Sequence, residues 1–351
     1  MRVCHSATLA GRAEARSQAR AARLGPGTDR ISGPRGSIQV TRALRLPGRG
    51  GDVERRPRLG HTANIKLVKI SIIIATHRRP HSLARLLESL YRQARPDHHE
   101  LLVAENGTPQ PTTTAPTPIA LQHLHDPRPG KCRVQNQAIK RARGEIIVCL
   151  DDDLFAAPDY LAQVEAFFNS CPQFAAMKGR ILPARPPASV VGPMAAYLDL
   201  PIVDHGLEIR SVHGVLGANM GFRREVFERL GGFDERLGPG ACGHEEETEF
   251  SSRMRAAGLQ IGYAPGALVY HEVEAERANR ARFLRVARER GRCRMLHEAH
   301  GWPEVLADTA LAAMRLTLAR ALPLGMERLA RAEKRMATAL GMIDGLRRPR
   351  V

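Results

Sequence analysis

Three consecutive carboxylates, Asp151, Asp152 and Asp153, directly follow an apolar run at residues 145–150. Their mutual repulsion is unfavourable unless a cation or several hydrogen-bond donors compensate it. Hard oxygen ligands of this kind suit Mg²⁺ or Mn²⁺, which usually take one or two carboxylates and complete their shell with water and substrate phosphates. The triplet therefore predicts either a divalent-metal site that also binds a diphosphate, or a solvated acidic turn before the next helix.

Two more polar side chains stand where apolar runs end. His77 follows a β-branched run at residues 67–75, and Glu105 follows a second run at residues 100–104. Between them, leucines at helical spacing over residues 83–90 predict a helix. Such alternation predicts an α/β fold with a doubly wound, mainly parallel sheet, whose ligands bind beyond the carboxyl ends of the strands. We expect His77, Glu105 and the three aspartates to meet in one crevice.

The net charge of +17 belongs to the two ends of the chain. Residues 1–64 contain 13 basic and 4 acidic residues, residues 273–351 contain 17 and 9, and residues 65–272 contain 23 of each. A nucleic-acid-binding domain carries its basic excess on the folded part, so we expect no nucleic-acid partner. The Arg-, Gly- and Pro-rich residues 1–64 show no helical or strand period and are predicted to be disordered.

Hydropathy and cysteine spacing limit the compartment. No run approaches 18 uncharged apolar residues, so no membrane-spanning helix is predicted. The six cysteines show neither disulfide-framework spacing nor a CxxC pair, which favours a reducing compartment. The first residues lack the apolar stretch of a secretory signal, although their Arg-rich composition also suits a transit peptide or an over-extended start.

Seven segments together resemble the family 2 glycosyltransferases. In chain order they are ISIIIATHRRP (70–80), VAENGT (103–108), ARGEIIVCLDDD (142–153), GANMGFRREVF (217–227), GGFDE (231–235), HEEETEF (244–250) and PGALVYH (265–271). The resemblance implies a GT-A fold over residues 65–272, with a nucleotide-binding amino half and an acceptor-binding carboxyl half. Residues 273–351 would then be a basic helical extension.

The resemblance assigns the donor side of the site. It implies that Thr76, His77, Arg78 and Glu105 hold the nucleobase and ribose of a nucleoside-diphosphate sugar. Family members usually have Asp at the Glu105 position and Tyr-Asn in place of His77 and Arg78, so the identity of the base stays open.

The same resemblance assigns the metal ligands. Asp153 would bind a divalent cation, Mn²⁺ or Mg²⁺, with Asp151 and His271 as further ligands, while Asp151 or Asp152 lies nearer the ribose. The metal would stabilise the charge on the leaving diphosphate. A strand-end histidine can equally be a hydrogen-bonded structural residue.

The family inverts anomeric configuration, which requires a general base for the acceptor hydroxyl. Glu247 aligns with that base, although the family usually has Asp there, and Glu246 or Glu245 could substitute. The alternative is that these acids merely favour the N-terminal dipole of a helix.

On the acceptor side, the resemblance implies that Asp234 accepts hydrogen bonds from acceptor hydroxyls, with Gly232 in a tight turn beside the sugar. The alternative is a turn that caps the preceding helix.

The C-terminal extension allows two interpretations. An apolar stripe stands opposite arginines and a lysine in residues 328–343. Such a helix can lie on an anionic membrane surface, which suits a lipid-linked acceptor, or pack on the catalytic domain. The predicted location is the cytoplasm or the inner face of the cell membrane.

The sequence thus predicts an inverting glycosyltransferase, of hexosyltransferase type, acting on a saccharide or lipid-linked acceptor in polysaccharide or glycolipid synthesis. The departures at His77, Glu105 and Glu247 leave open a degenerate protein that only binds. A sugar nucleotidyltransferase is disfavoured because residues 76–80 lack the glycines of a phosphate loop.

Overall fold

The computed structural model describes residues 69–108, 118–323 and 325–347, which belong to one compact unit. The predicted disorder of residues 1–64 falls outside the described residues. The predicted boundary between the catalytic domain and its extension, near residue 272, coincides with the end of the last strand, Gln260–His271.

The amino half is a parallel β-α unit repeated along the sheet. Its strands lie in the order β3-β2-β1-β4, and every neighbouring pair is parallel. The elements are β1 (Ile70–Thr76), α1 (Pro80–Tyr91), β2 (His99–Asn106), β3 (Ala120–Asp126), α2 (Lys131–Arg141) and β4 (Ile146–Asp151).

The carboxyl half extends the same sheet, continuing from β4 in the order β8-β6-β9-β5 with β7 also paired to β9. Its elements are β5 (Leu154–Ala156), α3 (Tyr160–Ser170), β6 (Phe174–Pro183), α4 (Pro187–Val191), a 3₁₀ helix (Gly192–Tyr197), β7 (Arg210–Ser211), β8 (Asn219–Arg223), α5 (Arg224–Leu230), α6 (Glu246–Ala256) and β9 (Gln260–His271). Strands β6 and β9 run in the direction of β1 to β4, whereas β5, β7 and β8 run oppositely. The prediction of a mainly parallel α/β sheet is confirmed.

The sheet is buried on both faces, which explains the unbroken apolar runs in its central strands. Ile72 and Ile74 of β1 pack with Leu86 of α1 in one core, while Ile73 points to the other core with Ala138 of α2. All seven residues of β1 are buried. A strand with one solvated face would have shown alternation instead.

Strand register brings the predicted site residues to one edge. Thr76 pairs with Glu105, and Ala75 pairs with Asp151. On the other side of the sheet, Pro183 at the end of β6 pairs with His271 at the end of β9. The expected crevice therefore lies at the carboxyl ends of β1, β2, β4 and β9.

Three helices follow: α7 (Arg280–Arg294), α8 (Trp302–Ala321) and α9 (Met326–Leu346). Helix α9 packs against both others, and its alanines Ala330, Ala332, Ala337 and Ala339 are buried. Of the predicted stripe, however, only Ala332 is buried, while Leu329, Met336, Leu340 and Ile343 are half-buried. Packing therefore covers the stripe in part, and its contact with a membrane surface stays a prediction. In the described residues, no helix is both long enough and apolar enough to cross a membrane.

A disulfide joins Cys242, in the loop before α6, to Cys293 of α7, with Cα atoms 5.7 Å apart. The disulfide contradicts the prediction of a reducing compartment, which was drawn from the cysteine spacing. The two cysteines are 51 positions apart in the sequence, so local spacing carries no signal for their pairing. Cys132, Cys149 and Cys171 are buried free thiols.

The crossing of α7 and α9 depends on two glycines. A Cβ placed on Gly291 would lie 1.9 Å from the carbonyl oxygen of Thr338, and one on Gly341 would lie 1.9 Å from that of Arg288. Two backbones this close tolerate no side chain, so the helices would have to move apart.

We expect Gly291→Ala to destabilise the protein by about 1–3 kcal/mol, the usual cost of overpacking, even though alanine is the better helix former. Urea unfolding measures this change. Thr317→Ala, on the exposed side of α8, is the control and should change stability by less than about 0.5 kcal/mol. An unchanged or higher midpoint for Gly291→Ala would contradict the close crossing.

Candidate active site

A cavity of about 890 Å³ opens at the carboxyl edge of the sheet. Its wall contains all three consecutive aspartates, Glu246 and Glu247 at the start of α6, and His271, together with side chains from α7 and α9. Residues from both halves of the sheet and from the helical extension therefore share one space. Its volume suits a ligand the size of a nucleotide sugar.

Asp151 and Asp152 are neutralised by different elements. Lys131 Nζ donates to Asp151 Oδ1 at 2.6 Å, while Thr76 Oγ1 donates to Asp152 Oδ2 at 2.7 Å and Arg79 Nη1 to Asp152 Oδ1 at 3.0 Å. Burial raises the pKa of Asp152, although Arg79 and Thr76 oppose the rise. Asp152 and Asp153 are buried and Asp151 is half-buried, and all three carboxylates are paired with cationic side chains, so the acidic turn is not a solvated cap.

Asp153 has the most positive surroundings of the three. Its Oδ2 accepts from Arg79 Nη1 and from Arg277 Nη2, each at 2.8 Å, and its Oδ1 lies 3.3 Å from His271 Nε2. Burial would raise the pKa of Asp153, but His271, Arg277 and Arg79 hold it well below its usual range. Burial would likewise lower the pKa of His271, but Asp153 raises it.

The pair formed by Asp153 and His271 fits a divalent cation. His271 Nδ1 lies 2.7 Å from the carbonyl oxygen of Glu272, so Nε2 is the nitrogen aimed at the Asp153 carboxylate. An atom separation of 3.3 Å is close to that of neighbouring ligands around one ion bound at about 2.1 Å. Carboxylate and imidazole are both ligands of Mn²⁺.

Within residues 69–108, 118–323 and 325–347, no third His, Cys, Asp or Glu completes a protein cage around an ion. Two protein ligands are enough for a cation that takes its remaining ligands from substrate phosphates and water. Asp151, the third predicted ligand, is turned to Lys131, and its metal contact stays a prediction.

Lys131 lies between the aspartates of the donor side and the helix start that carries the predicted general base. It is buried, and its Nζ lies between Asp151 and Glu246, 3.5 Å from Glu246 Oε1. Burial would lower the pKa of Lys131, but Asp151 and Glu246 raise it well above its ordinary value. Sequence reasoning missed this residue. A lysine in the first turn of α2, where the helix dipole disfavours a cation, was the available signal.

The predicted general base, Glu247, lies in the first turn of α6. The pKa of Glu247 is raised to about 8 by burial and by the neighbouring Glu246, although Lys131 opposes the rise. Helix α6 starts after Glu245, whose φ of 79° is left-handed. Glu246 and Glu249 stand in the same turn, and Glu249 pairs with Arg253, so the helix-dipole interpretation stays open beside that of a base.

The residues predicted to bind the nucleobase divide into two groups. Thr76 and His77 line the cavity, and His77 Nδ1 lies 2.8 Å from the carbonyl oxygen of Asn106. Glu105 is buried, with Oε2 3.1 Å from His123 Nε2, and Arg78 adopts a positive φ of 54°. Neither Arg78 nor Glu105 is part of the cavity wall described, so their contact with a nucleobase stays a prediction.

The predicted acceptor residues also lie away from the cavity wall described. Asp234 accepts from its neighbour Arg236, whose Nη2 lies 2.7 Å from Oδ2. A Cβ on Gly232 would lie 2.3 Å from Asn136 Oδ1, so this glycine permits close packing on α2. Their role toward an acceptor stays a prediction.

Arg277 was also missed as a site residue, because it lies in the segment assigned to the extension. It is in a 3₁₀ helix, Ala275–Arg277, six residues after His271. No local pattern distinguishes it from the other arginines that follow.

The mixed α/β sheet has the GT-A fold, as superposition on solved structures shows. A mannosyltransferase from Pyrobaculum calidifontis in complex with GDP-Man and Mn²⁺ superposes with a TM-score of 0.53 at 20% identity, over 80% of this chain and 87% of that one. GalNAc-T7 with UDP, GalNAc and Mn²⁺ gives 0.51 at 14% identity, over 80% and 56%. At these identities the likeness shows the fold alone.

Residues 71–231 match the family described as Glycosyl transferase family 2. The match covers just under half of the chain and, over those residues, confirms the resemblance found in the sequence motifs.

Curated relatives agree. An O-antigen biosynthesis protein of Myxococcus xanthus is 30% identical over 60% of this chain, but the chain spans only 18% of that protein. A succinoglycan biosynthesis protein of Rhizobium meliloti is 28% identical over 66% of this chain and 77% of its own length. A glucosyl-dolichyl phosphate glucuronosyltransferase of Haloferax volcanii is 22% identical over 59% and 70%.

We expect Lys131→Met to destabilise the protein by about 3–5 kcal/mol, because it leaves the Asp151 and Glu246 carboxylates without their shared cation in a buried site. Chemical unfolding measures the change. Lys140→Met, on the exposed end of the same helix, should cost less than about 0.5 kcal/mol. Equal stabilities for the two variants would show that Lys131 does not neutralise the cluster.

Proposed function

We propose that the protein is an inverting, metal-dependent hexosyltransferase. It would transfer a sugar from a nucleoside-diphosphate sugar to a hydroxyl group of a saccharide or lipid-linked acceptor. The observation that carries the proposal is the shared cavity, in which the Asp153–His271 pair and the Glu247 carboxyl face the same space. A cation site and a base are the two groups that a direct displacement at an anomeric carbon needs.

The relatives suggest the setting. Two are named for O-antigen and succinoglycan biosynthesis, and one is named a glucosyl-dolichyl phosphate glucuronosyltransferase. We accordingly propose a role in polysaccharide or glycolipid synthesis. The location predicted from the sequence, the cytoplasm or the inner face of the cell membrane, has the Cys242–Cys293 disulfide against it, because disulfides are rare in a reducing compartment.

On the donor side, Asp153 and His271 would hold the divalent cation, which acts as a Lewis acid for the diphosphate leaving group. Arg79 and Arg277, both bonded to Asp153, are placed to donate to the same phosphates. Asp151 and Asp152 would orient the ribose. Lys131 and Thr76 fix these two carboxylates in position.

On the acceptor side, Glu247 would remove the proton from the attacking hydroxyl as the anomeric bond breaks. A carboxylate with a pKa of about 8 is a stronger base than an ordinary glutamate, which suits proton removal from an alcohol. Glu246, the neighbour of Glu247, lies 3.5 Å from Lys131 Nζ. The longer side chain of Glu, where the family usually has Asp, places the base about one C–C bond further into the cavity.

One observation favours the alternative of a degenerate protein that binds without catalysis. Arg79 and Arg277 already neutralise Asp153, so the acidic turn is balanced without a metal. Metal-dependent turnover separates the two functions.

Glu247→Gln should lower kcat by about 10²–10⁴-fold, the usual contribution of a general base. In the wild type, kcat/KM should rise about tenfold per pH unit up to a pH of about 8 and then level off, because only the ionised carboxylate accepts the proton. Initial rates of nucleoside diphosphate release measure both. Glu249→Gln, whose carboxylate pairs with Arg253, is the control and should keep its activity. A pH-independent wild-type rate would exclude Glu247 as the base.

The proposed function is tested by nucleotide binding and turnover. UDP-, GDP- and dTDP-sugars are titrated into the full chain with and without Mn²⁺, and nucleoside diphosphate release is followed. We expect metal-dependent binding of donors with one kind of nucleobase, lost in Asp153→Ala and kept in Asp159→Ala, an exposed residue between β5 and α3. Metal-dependent binding without any release under acceptor screening would favour the degenerate alternative, and no binding at all would refute the donor site.

A further inference from the structure

The helical extension contributes an excess of positive charge to the cavity wall. It supplies Arg277, Arg282, Arg290 and Lys334 to the wall but no carboxylate. Arg277 is committed to Asp153 on the donor side. The other three stand on α7 and α9, on elements that follow the catalytic sheet. The basic excess of the C-terminal segment is therefore partly directed into the active-site cavity.

Two of these three cations are held in place by one acid. Asp199 accepts from Arg290 Nη2 at 2.7 Å and from Lys334 Nζ at 2.8 Å. Burial would raise the pKa of Asp199, but Arg290 and Lys334 lower it, so the carboxylate is ionised. The trio keeps one net positive charge, and it fixes both side chains at the wall.

Arg282 adds a second positive charge. It is exposed on the first turn of α7, and no carboxylate within salt-bridge distance of it occurs in the described residues. His244, also in the wall, adds none, because burial and Arg290 lower its pKa to about 4. Elsewhere in the wall, Lys131 is shared by Asp151 and Glu246, arginines pair with Asp152 and Asp153, and Glu245 lies 3.6 Å from His297 Nε2. The two excess positive charges therefore belong to this group of side chains and not to the wall as a whole.

Apolar side chains flank these cations. Phe283 and Val286 of α7 line the cavity together with Leu200, Pro201 and Ile202. Lys334 Nζ lies 5.4 Å from the Phe283 ring centroid, so a cation and an apolar surface are directly adjacent. A neutral sugar would gain little from two excess cations beside an apolar wall. A phosphate group attached to an apolar or sugar portion would match both features.

We propose that the site bounded by Arg282, Arg290, Lys334 and Phe283 binds a phosphate group of the acceptor, so that the acceptor substrate is phosphate-bearing. This inference rests on the proposed function, since it assigns the acceptor end of the same cavity. The phosphate could belong to a lipid phosphate or to a sugar phosphate. The apolar residues beside it favour contact with the first carbons of a lipid chain.

The test uses dodecyl phosphate as the probe, titrated calorimetrically into the full chain saturated with Mn²⁺ and UDP, GDP or dTDP, so that the donor site is occupied. We expect Arg282→Ala to weaken dodecyl phosphate binding about tenfold or more, because a charge-assisted bond to phosphate is lost. Arg285→Ala is the matched control. Arg285 is exposed on the same helix but is not part of this wall, and its loss should change the affinity by less than about twofold.

Glucose 1-phosphate and dodecyl maltoside are titrated in the same way as comparison ligands, the first without an alkyl chain and the second without a phosphate. Binding of glucose 1-phosphate as tight as that of dodecyl phosphate identifies a sugar phosphate as the source, and weaker binding identifies a lipid phosphate. Equal affinity for neutral dodecyl maltoside, or equal losses in Arg282→Ala and Arg285→Ala, would overturn the proposal.

Nucleotide affinity separates this inference from the proposed function. Arg282→Ala should leave Mn²⁺-dependent nucleoside diphosphate binding unchanged. A matching loss of nucleotide affinity would place Arg282 in the donor site and overturn the acceptor assignment. If the wild type binds no nucleotide but still binds dodecyl phosphate through Arg282, the proposed function fails while the phosphate site stands.

Discussion

The active-site edge of this protein depends on neutralising three consecutive aspartates at the buried end of β4. An uncompensated buried carboxylate costs several kcal/mol, so each needs a partner. Lys131 of α2 pairs with Asp151, and Arg79, just before α1, pairs with both Asp152 and Asp153. Arg277, from the segment beyond β9, also pairs with Asp153, while the Thr76 hydroxyl in β1 donates to Asp152. The acidic triplet therefore connects both halves of the sheet to the extension. The same carboxylates, which are costly in free energy to bury, are where a cation-bound diphosphate would fit under the proposed function.

The helical extension is part of the site and not an appendage to it. Helix α7 forms one wall of the cavity, and the Cys242–Cys293 disulfide ties it to the loop that leads into α6. The start of α6 carries Glu247, the proposed base. The wall that would receive the acceptor and the helix that would activate it are thus covalently linked. Close crossing of α7 and α9 at Gly291 fixes that wall against the rest of the molecule.

Local patterns were enough to predict the fold and a crevice at the carboxyl edge of the sheet, although Glu105, expected in that crevice, is not part of its wall. An unbroken β-branched run predicted β1, polar residues at strand ends predicted the crevice, and the structure brings His271 to 3.3 Å from Asp153 across the sheet. Pairings between distant segments left no such pattern. Lys131 and Arg277 look like ordinary basic residues until folding places them against the aspartates. The apolar stripe of α9 was equally consistent with two surfaces, because amphipathicity does not specify what covers it.

The central claim is that Asp153 and His271 form the metal site of a nucleotide-sugar transferase. Anomalous diffraction at the manganese edge, from crystals of the full chain grown with Mn²⁺ and the nucleoside diphosphate that binds, tests it most directly. The account predicts one strong peak within about 2.6 Å of an Asp153 oxygen and of His271 Nε2, with the diphosphate completing the coordination. A bound nucleotide without such a peak, with Arg79 and Arg277 still holding Asp153, would contradict it.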